Sequence, residues 1–63
     1  MLKESNHLPD ILIVDDDSSV VIALNKVLNK IGRIRFASDA KQAFIMVNEC
    51  KPDLILLDVE LPD

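Results

Sequence analysis

Tryptophan and tyrosine are absent from this 63-residue sequence, and glycine, cysteine and histidine each occur once. A single cysteine, Cys50, cannot form an internal disulfide, which excludes the stapled scaffolds that many small secreted domains depend on. One glycine excludes collagen and glycine-rich low-complexity classes. Positive charge is also scarce: 7 Lys and Arg face 11 Asp and Glu, a net charge of -4, which is the wrong sign for gripping a nucleic-acid backbone. No run approaches the ~18 apolar residues of a membrane span. Residues 1–10 carry Lys3, Glu4, Asn6, His7 and Pro9, so they lack the apolar centre of a signal peptide. The cytoplasm is therefore the expected compartment, and a lone reduced thiol agrees with it. What the chain does contain is 49% hydrophobic and 29% charged residues, the balance of one small globular unit rather than of a disordered segment.

Residues 1–9 read as a polar leader closed by Pro9. The run Ile11-Leu12-Ile13-Val14 does not alternate, which predicts a strand buried on both faces, and it ends abruptly in Asp15-Asp16-Asp17-Ser18-Ser19. Val20, Val21, Leu24, Val27, Leu28 and Ile31 then recur at helical spacing, with acids and serines as the N-terminal cap and Gly32 as a C′ stop. Arg33-Ile34-Arg35-Phe36-Ala37 alternates, as a strand with one exposed face does. Ser38-Asp39 caps a second helix whose apolar face is Ala40, Ala43, Phe44 and Val47, with Cys50 nearby, and which must stop before Pro52. A second unalternated run, Leu54-Ile55-Leu56-Leu57, ends in Asp58. The string is β-α-β-α-β, which predicts an α/β fold with a parallel sheet joined by crossover helices. A domain this short buries only about 60% of the surface its unfolded chain exposes. Two helices cannot fully cover three such strands, so the reading expects a larger domain of which this is the N-terminal part.

In open parallel sheets the ligand site lies beyond the carboxyl ends of the strands, and both aliphatic runs place acids there: Asp15, Asp16 and Asp17 after the first, Asp58 after the third. Each acid has an ordinary explanation when taken alone, as a helix cap or as a loop acid. Three in succession exceed what a cap needs, because one side chain satisfies the orphan amides and the others add only repulsion. Carboxylates gathered at neighbouring strand tips repel one another unless a cation offsets them, and a hard divalent ion that also meets phosphate oxygens is the usual solution. The pattern therefore points to a Mg²⁺ site that meets a phosphoryl group. His7 and Cys50 read as a solvated side chain and a partly buried small hydrophobe.

With this spacing, ILIVDDDSS followed by DLILLDVELPD resembles the N-terminal half of a response-regulator receiver domain of two-component signalling, over nearly all of the chain from Ile11 onward. The resemblance implies a doubly wound, flavodoxin-like (CheY-like) parallel sheet of strand order 2-1-3, with residues 10–63 forming an incomplete receiver that continues after Asp63. It implies Asp58 as phosphoacceptor, Asp15 and Asp16 as the acidic pair that holds Mg²⁺ together with Asp58, and the backbone carbonyl of Glu60 as a further metal ligand. Pro62 matches the family's loop proline, and Asp17 is left to helix capping. The implied partners are a sensor histidine kinase or phosphotransfer protein as donor and an output domain, with no nucleic acid or membrane, and the chain itself would be a signalling receiver rather than an enzyme. Residues 32–38 bear a looser likeness to receivers attached to diguanylate cyclases.

Two other readings compete. Asp15-x-Asp17 followed by Ser19 also resembles the motif of haloacid-dehalogenase-type phosphatases, with Asp15 as nucleophile and Asp17 as general acid/base, although that family's glycine-containing flap is missing and Asp58 is left unexplained. A receiver-like interaction module that no longer accepts phosphate is the other. For the 63 residues in isolation, the aliphatic third strand predicts an open edge and self-association through it.

Overall fold

A computed structural model of the chain describes residues 8–58. Its elements are β1 (Asp10–Val14), α1 (Ser18–Leu28), β2 (Arg33–Ala37), α2 (Ala40–Glu49) and β3 (Leu54–Leu57). The three strands are parallel in the order β2-β1-β3. This is the expected βαβαβ arrangement with strand order 2-1-3. The leader residues 1–7, and with them His7, lie outside the described residues.

β1 is central, and its run of aliphatic residues is what the two helices cover. Ile11 and Ile13 point to one face, where they pack with Val21, Leu24 and Leu28 of α1 and with Ile34 and Leu56. Leu12 and Val14 point to the other, against Ala37 and, on α2, Ala43, Met46 and Val47. All four β1 side chains are no more than 2% exposed. Each fully buried aliphatic side chain of this size contributes about 1.5–3 kcal/mol relative to exposure, so β1 is the largest source of cohesion.

The helices are capped as their sequences predict, but their buried faces are rotated from the simplest reading. Asp17 and Asp39 are the N-caps of α1 and α2, accepting from the amides of Ser19 and Gln42. On α1, Val21, Leu24 and Leu28 face the sheet, while Val20 and Val27 are exposed, as is Ile31 beyond the helix end. On α2, Phe44 is 71% exposed and Met46 packs inward instead. Cys50 is exposed at the helix end. Periodicity marks an apolar stripe wider than the sheet can cover, and only docking decides which edge of the stripe is buried.

β2 departs from the alternation expected of it. Phe36 is 55% exposed, whereas Arg35 is half-buried and Ala37 is buried. Arg35 lies inward because its guanidinium has acceptors there: Nε donates to Asp10 Oδ1 at 2.9 Å, Nη2 to the Cys50 carbonyl at 2.7 Å and Nη1 to the Met46 carbonyl at 3.3 Å. It thereby ties β1, β2 and the carboxyl end of α2 together. The run in β3 is likewise not buried on both faces: Leu54, Ile55 and Leu57 are 50%, 47% and 62% exposed, because among the described residues β3 pairs only with β1. No helix among these residues is long and apolar enough to cross a membrane.

Gly32 is not the helix stop that its sequence position suggests, and it is required for another reason. α1 ends at Leu28 with Asn29 as C-cap, and no glycine has positive φ, so this is not a left-handed cap. Space is the constraint: a Cβ on Gly32 would meet Ile11 Cδ1 and the Pro9 carbonyl oxygen, both at 2.8 Å. That carbonyl accepts from the Arg33 amide at 2.7 Å and cannot retreat without breaking the bond that starts the β1–β2 ladder. Gly32→Ala is therefore expected to lower stability by about 1–3 kcal/mol, the usual cost of overpacking. Urea unfolding of the two proteins checks this, and equal midpoints would remove the steric explanation.

Candidate metal centre

β1 and β3 are hydrogen-bonded neighbours with Val14 opposite Leu57, so the residues that follow them emerge side by side. The Asp58 amide donates to the Val14 carbonyl at 3.0 Å, and the Asp15 amide donates to the Ala37 carbonyl at 3.0 Å. Both acids are thus fixed to the sheet by their own backbones. Asp15 and Asp58 are half-buried and Asp16 is exposed. One carboxylate oxygen from each of the three lies within 4.8 Å of the others.

This spacing suits a small hard cation. Magnesium holds oxygen ligands at about 2.0–2.1 Å, so adjacent ligands are roughly 2.9 Å and opposite ones roughly 4.2 Å apart, and the three carboxylates would draw together to share one ion. Three carboxylates and no nitrogen or sulfur ligand form a donor set matched to Mg²⁺ rather than to a softer metal. Such an ion would supply positive charge where three anions meet, with coordination positions left for water or phosphoryl oxygens.

Two hollows adjoin the acids, and Asp15 borders both. The smaller, about 140 Å³, opens over Asp58 and is floored by Ile13, Leu24, Leu56 and Leu57. The larger, about 440 Å³, runs from Asp15 and Asp16 between α1 and β2, past Asn25, Phe36 and Gln42. Although larger, it does not include Asp58, which borders the small hollow. Of the polar residues of the large cleft, Asn25 and Gln42 were not foreseen. Only Gln42 had a legible signal, as the third residue after the Asp39 cap, and its side chain indeed reaches back to accept from the Ser38 amide.

Asp17 is not part of the cluster. Its Oδ1 accepts from the Ser19 amide at 2.9 Å and its own amide donates to Asp15 Oδ1 at 2.9 Å. A carboxylate committed to capping α1 is badly placed to serve as general acid/base, so the phosphatase reading of Asp15 and Asp17 loses its second catalytic group. Glu60 and Pro62 lie outside the described residues. The features of residues 32–38 are accounted for by packing, with Gly32 against Ile11 and Arg35 against α2, and they do not require a cyclase.

Comparison with known proteins agrees with this geometry. The family model for the response regulator receiver domain matches residues 11–63. Sporulation initiation phosphotransferase F of Bacillus subtilis is 47% identical over 53 residues, covering 82% of this chain and 43% of that protein. Transcriptional regulatory protein PrrA of Mycobacterium leprae is 38% identical over 55 residues, covering 86% of this chain and 24% of that protein. A protein-glutamate methylesterase/protein-glutamine glutaminase of Anaeromyxobacter dehalogenans is also 38% identical over 55 residues, covering 86% and 16%. The chain thus spans less than half the length of each of these relatives. No solved structure gives a significant match.

Asp16→Asn is expected to weaken Mg²⁺ binding by more than about tenfold, since even an outer partner of a metal ligand is commonly worth that much. Asp53→Asn, at the opposite end of the sheet, should leave the affinity unchanged. Magnesium titration followed by NMR would distinguish the variants, and identical curves for wild type and Asp16→Asn would remove the basis for the centre.

Proposed function

The chain belongs to the response regulator receiver domain family, the signalling module of two-component systems, and from that premise we propose that Asp58 is its phosphoacceptor and that Asp15, Asp16 and Asp58 hold the Mg²⁺ that makes acceptance feasible. One observation carries this reading: three carboxylates from the ends of two adjacent strands converge to within 4.8 Å beside a shallow hollow. On the same reading the Glu60 backbone carbonyl adds a further metal ligand. Residues 10–63 are then the leading βαβαβ part of a receiver, preceded by the leader 1–9.

The chemistry follows from the position of Asp58. A carboxylate is a modest nucleophile and carries the same sign of charge as the group it must attack, so the nearby cation is needed to offset repulsion between it and the incoming phosphoryl oxygens. An Asp58 oxygen bonds to phosphorus as the bond from phosphorus to the donor nitrogen breaks, and the electron pair leaves with the donor imidazole. The backbone hydrogen bond to Val14 holds Asp58 in place, beside a hollow also lined by Ile13, Leu24, Leu56 and Leu57. The product is an acyl phosphate with added negative charge and acceptor oxygens, which shifts the electrostatics of the strand tips.

A phosphohistidine on a sensor kinase or phosphotransfer protein is the proposed donor, in the cytoplasm. This draws support from the printed name of the Bacillus relative, a phosphotransferase of sporulation initiation. The relatives' names otherwise point to different outputs, transcriptional regulation in one and methylesterase in another, and the expected diguanylate cyclase link finds no support among them.

Incubating the complete receiver domain that contains these residues with a small acyl phosphate and Mg²⁺, followed by borohydride trapping and mass spectrometry, is expected to place the label on Asp58. Asp58→Asn or chelation of the metal should abolish it. Label on Asp15 would sink this reading in favour of a phosphatase-like site.

A further inference from the structure

We propose that Asp17 is a positioning residue of the metal centre, acting through Asp15 rather than binding the cation; the inference rests on the Mg²⁺ reading above. Asp17 is anchored by every polar group it has on the helix side. Its Oδ1 accepts from the Ser19 amide at 2.9 Å, and its carbonyl accepts from the amides of Val20 and Val21, both at 3.1 Å. These bonds hold Asp17 in an extended conformation, φ -94 and ψ 106, at the first turn of α1. Its own amide points back to the strand tip and donates to Asp15 Oδ1 at 2.9 Å.

The sequence of contacts therefore runs from α1 through Asp17 to Asp15. A carboxylate with one oxygen fixed by a charge-assisted hydrogen bond loses most of its freedom to rotate. Without that bond Asp15 would have to be ordered by the arriving cation, and the ordering would weaken binding. The cap also fixes where α1 starts relative to β1, so the same side chain sets both the helix position and the ligand's orientation. The third acid of Asp15-Asp16-Asp17 thereby gains a purpose that neither capping nor metal ligation alone supplies.

Asp39 provides the internal control, because it caps α2 in the same manner and lies outside the acid cluster. The experiment is a Mg²⁺ titration of the complete receiver domain that contains these residues and of its variants Asp17→Ala, Asp17→Asn and Asp39→Ala, followed by NMR well below the melting temperature. Asn keeps a side-chain oxygen for the Ser19 amide, so Asp17→Asn should bind Mg²⁺ within about twofold of wild type. Asp17→Ala should bind about tenfold more weakly. Asp39→Ala should lose thermal stability as Asp17→Ala does, yet keep its Mg²⁺ affinity. Unchanged affinity in Asp17→Ala would overturn the proposal. Equal weakening in Asp17→Asn would assign the effect to the charge of Asp17 and overturn positioning, and weakening in Asp39→Ala would reduce it to general destabilisation. A wild-type domain that binds no Mg²⁺ would overturn the metal reading and this inference with it.

Discussion

Burial of β1 on both faces is the constraint from which the rest of the structure follows. Ile11, Leu12, Ile13 and Val14 offer no polar face, so water must be excluded from both sides at once. One helix on each side is the least that achieves this, and two parallel neighbours are what satisfy its backbone on both edges. Placing β1 in the middle has a direct consequence for chemistry. The residues after its carboxyl end necessarily emerge between those of β2 and β3, at the most crowded point of the sheet's rim.

The amino end of the sheet is arranged to hold that rim still. Asp10 and Asp53 exchange hydrogen bonds across β1 and β3, with the Asp10 amide on Asp53 Oδ2 and the Asp53 amide on the Asp10 carbonyl, each at 2.7 Å. Arg35 adds β2 and the end of α2 to the same network. The Arg35–Asp10 pair is partly exposed, with side chains at 23% and 20%, so its Coulombic value is modest. Its geometric value is larger, since it fixes how far β2 and α2 can slide relative to β1. Polar bonds thus register the strands at one end, and at the other the carboxylates of Asp15, Asp16 and Asp58 meet.

That separation explains why a small unit can carry so much negative charge at one rim. Stability comes from the aliphatic middle and the amino-end network, and the carboxyl-end acids contribute little to it. Strain and like charge concentrated at a functional rim are commonly offset by ordinary packing elsewhere. Asp17 joins the two regimes, with one bond set belonging to helix stability and one to the acid cluster.

Much of this was legible locally. The unalternated run of β1, the capping acids Asp17 and Asp39, the helix ended before Pro52 and the acids at two strand tips are all decided by neighbours in sequence, where propensity and capping rules act. The strand order came from likeness to a family, since nothing in the residues alone states that β3 lies beside β1 rather than beside β2. Other features were decided only by tertiary structure. Met46 rather than Phe44 faces the sheet, Val20, Val27 and Ile31 are left exposed, and Arg35 turns inward toward acceptors far away in sequence. Gly32 is required by the approach of Pro9 and Ile11, not by its own backbone angles. The convergence of Asp58 with Asp15 and Asp16 belongs to the same class. Sequence fixes what each strand tip carries, but the distance between tips is set by hydrogen-bonded pairing across more than forty residues, and only the folded sheet determines it.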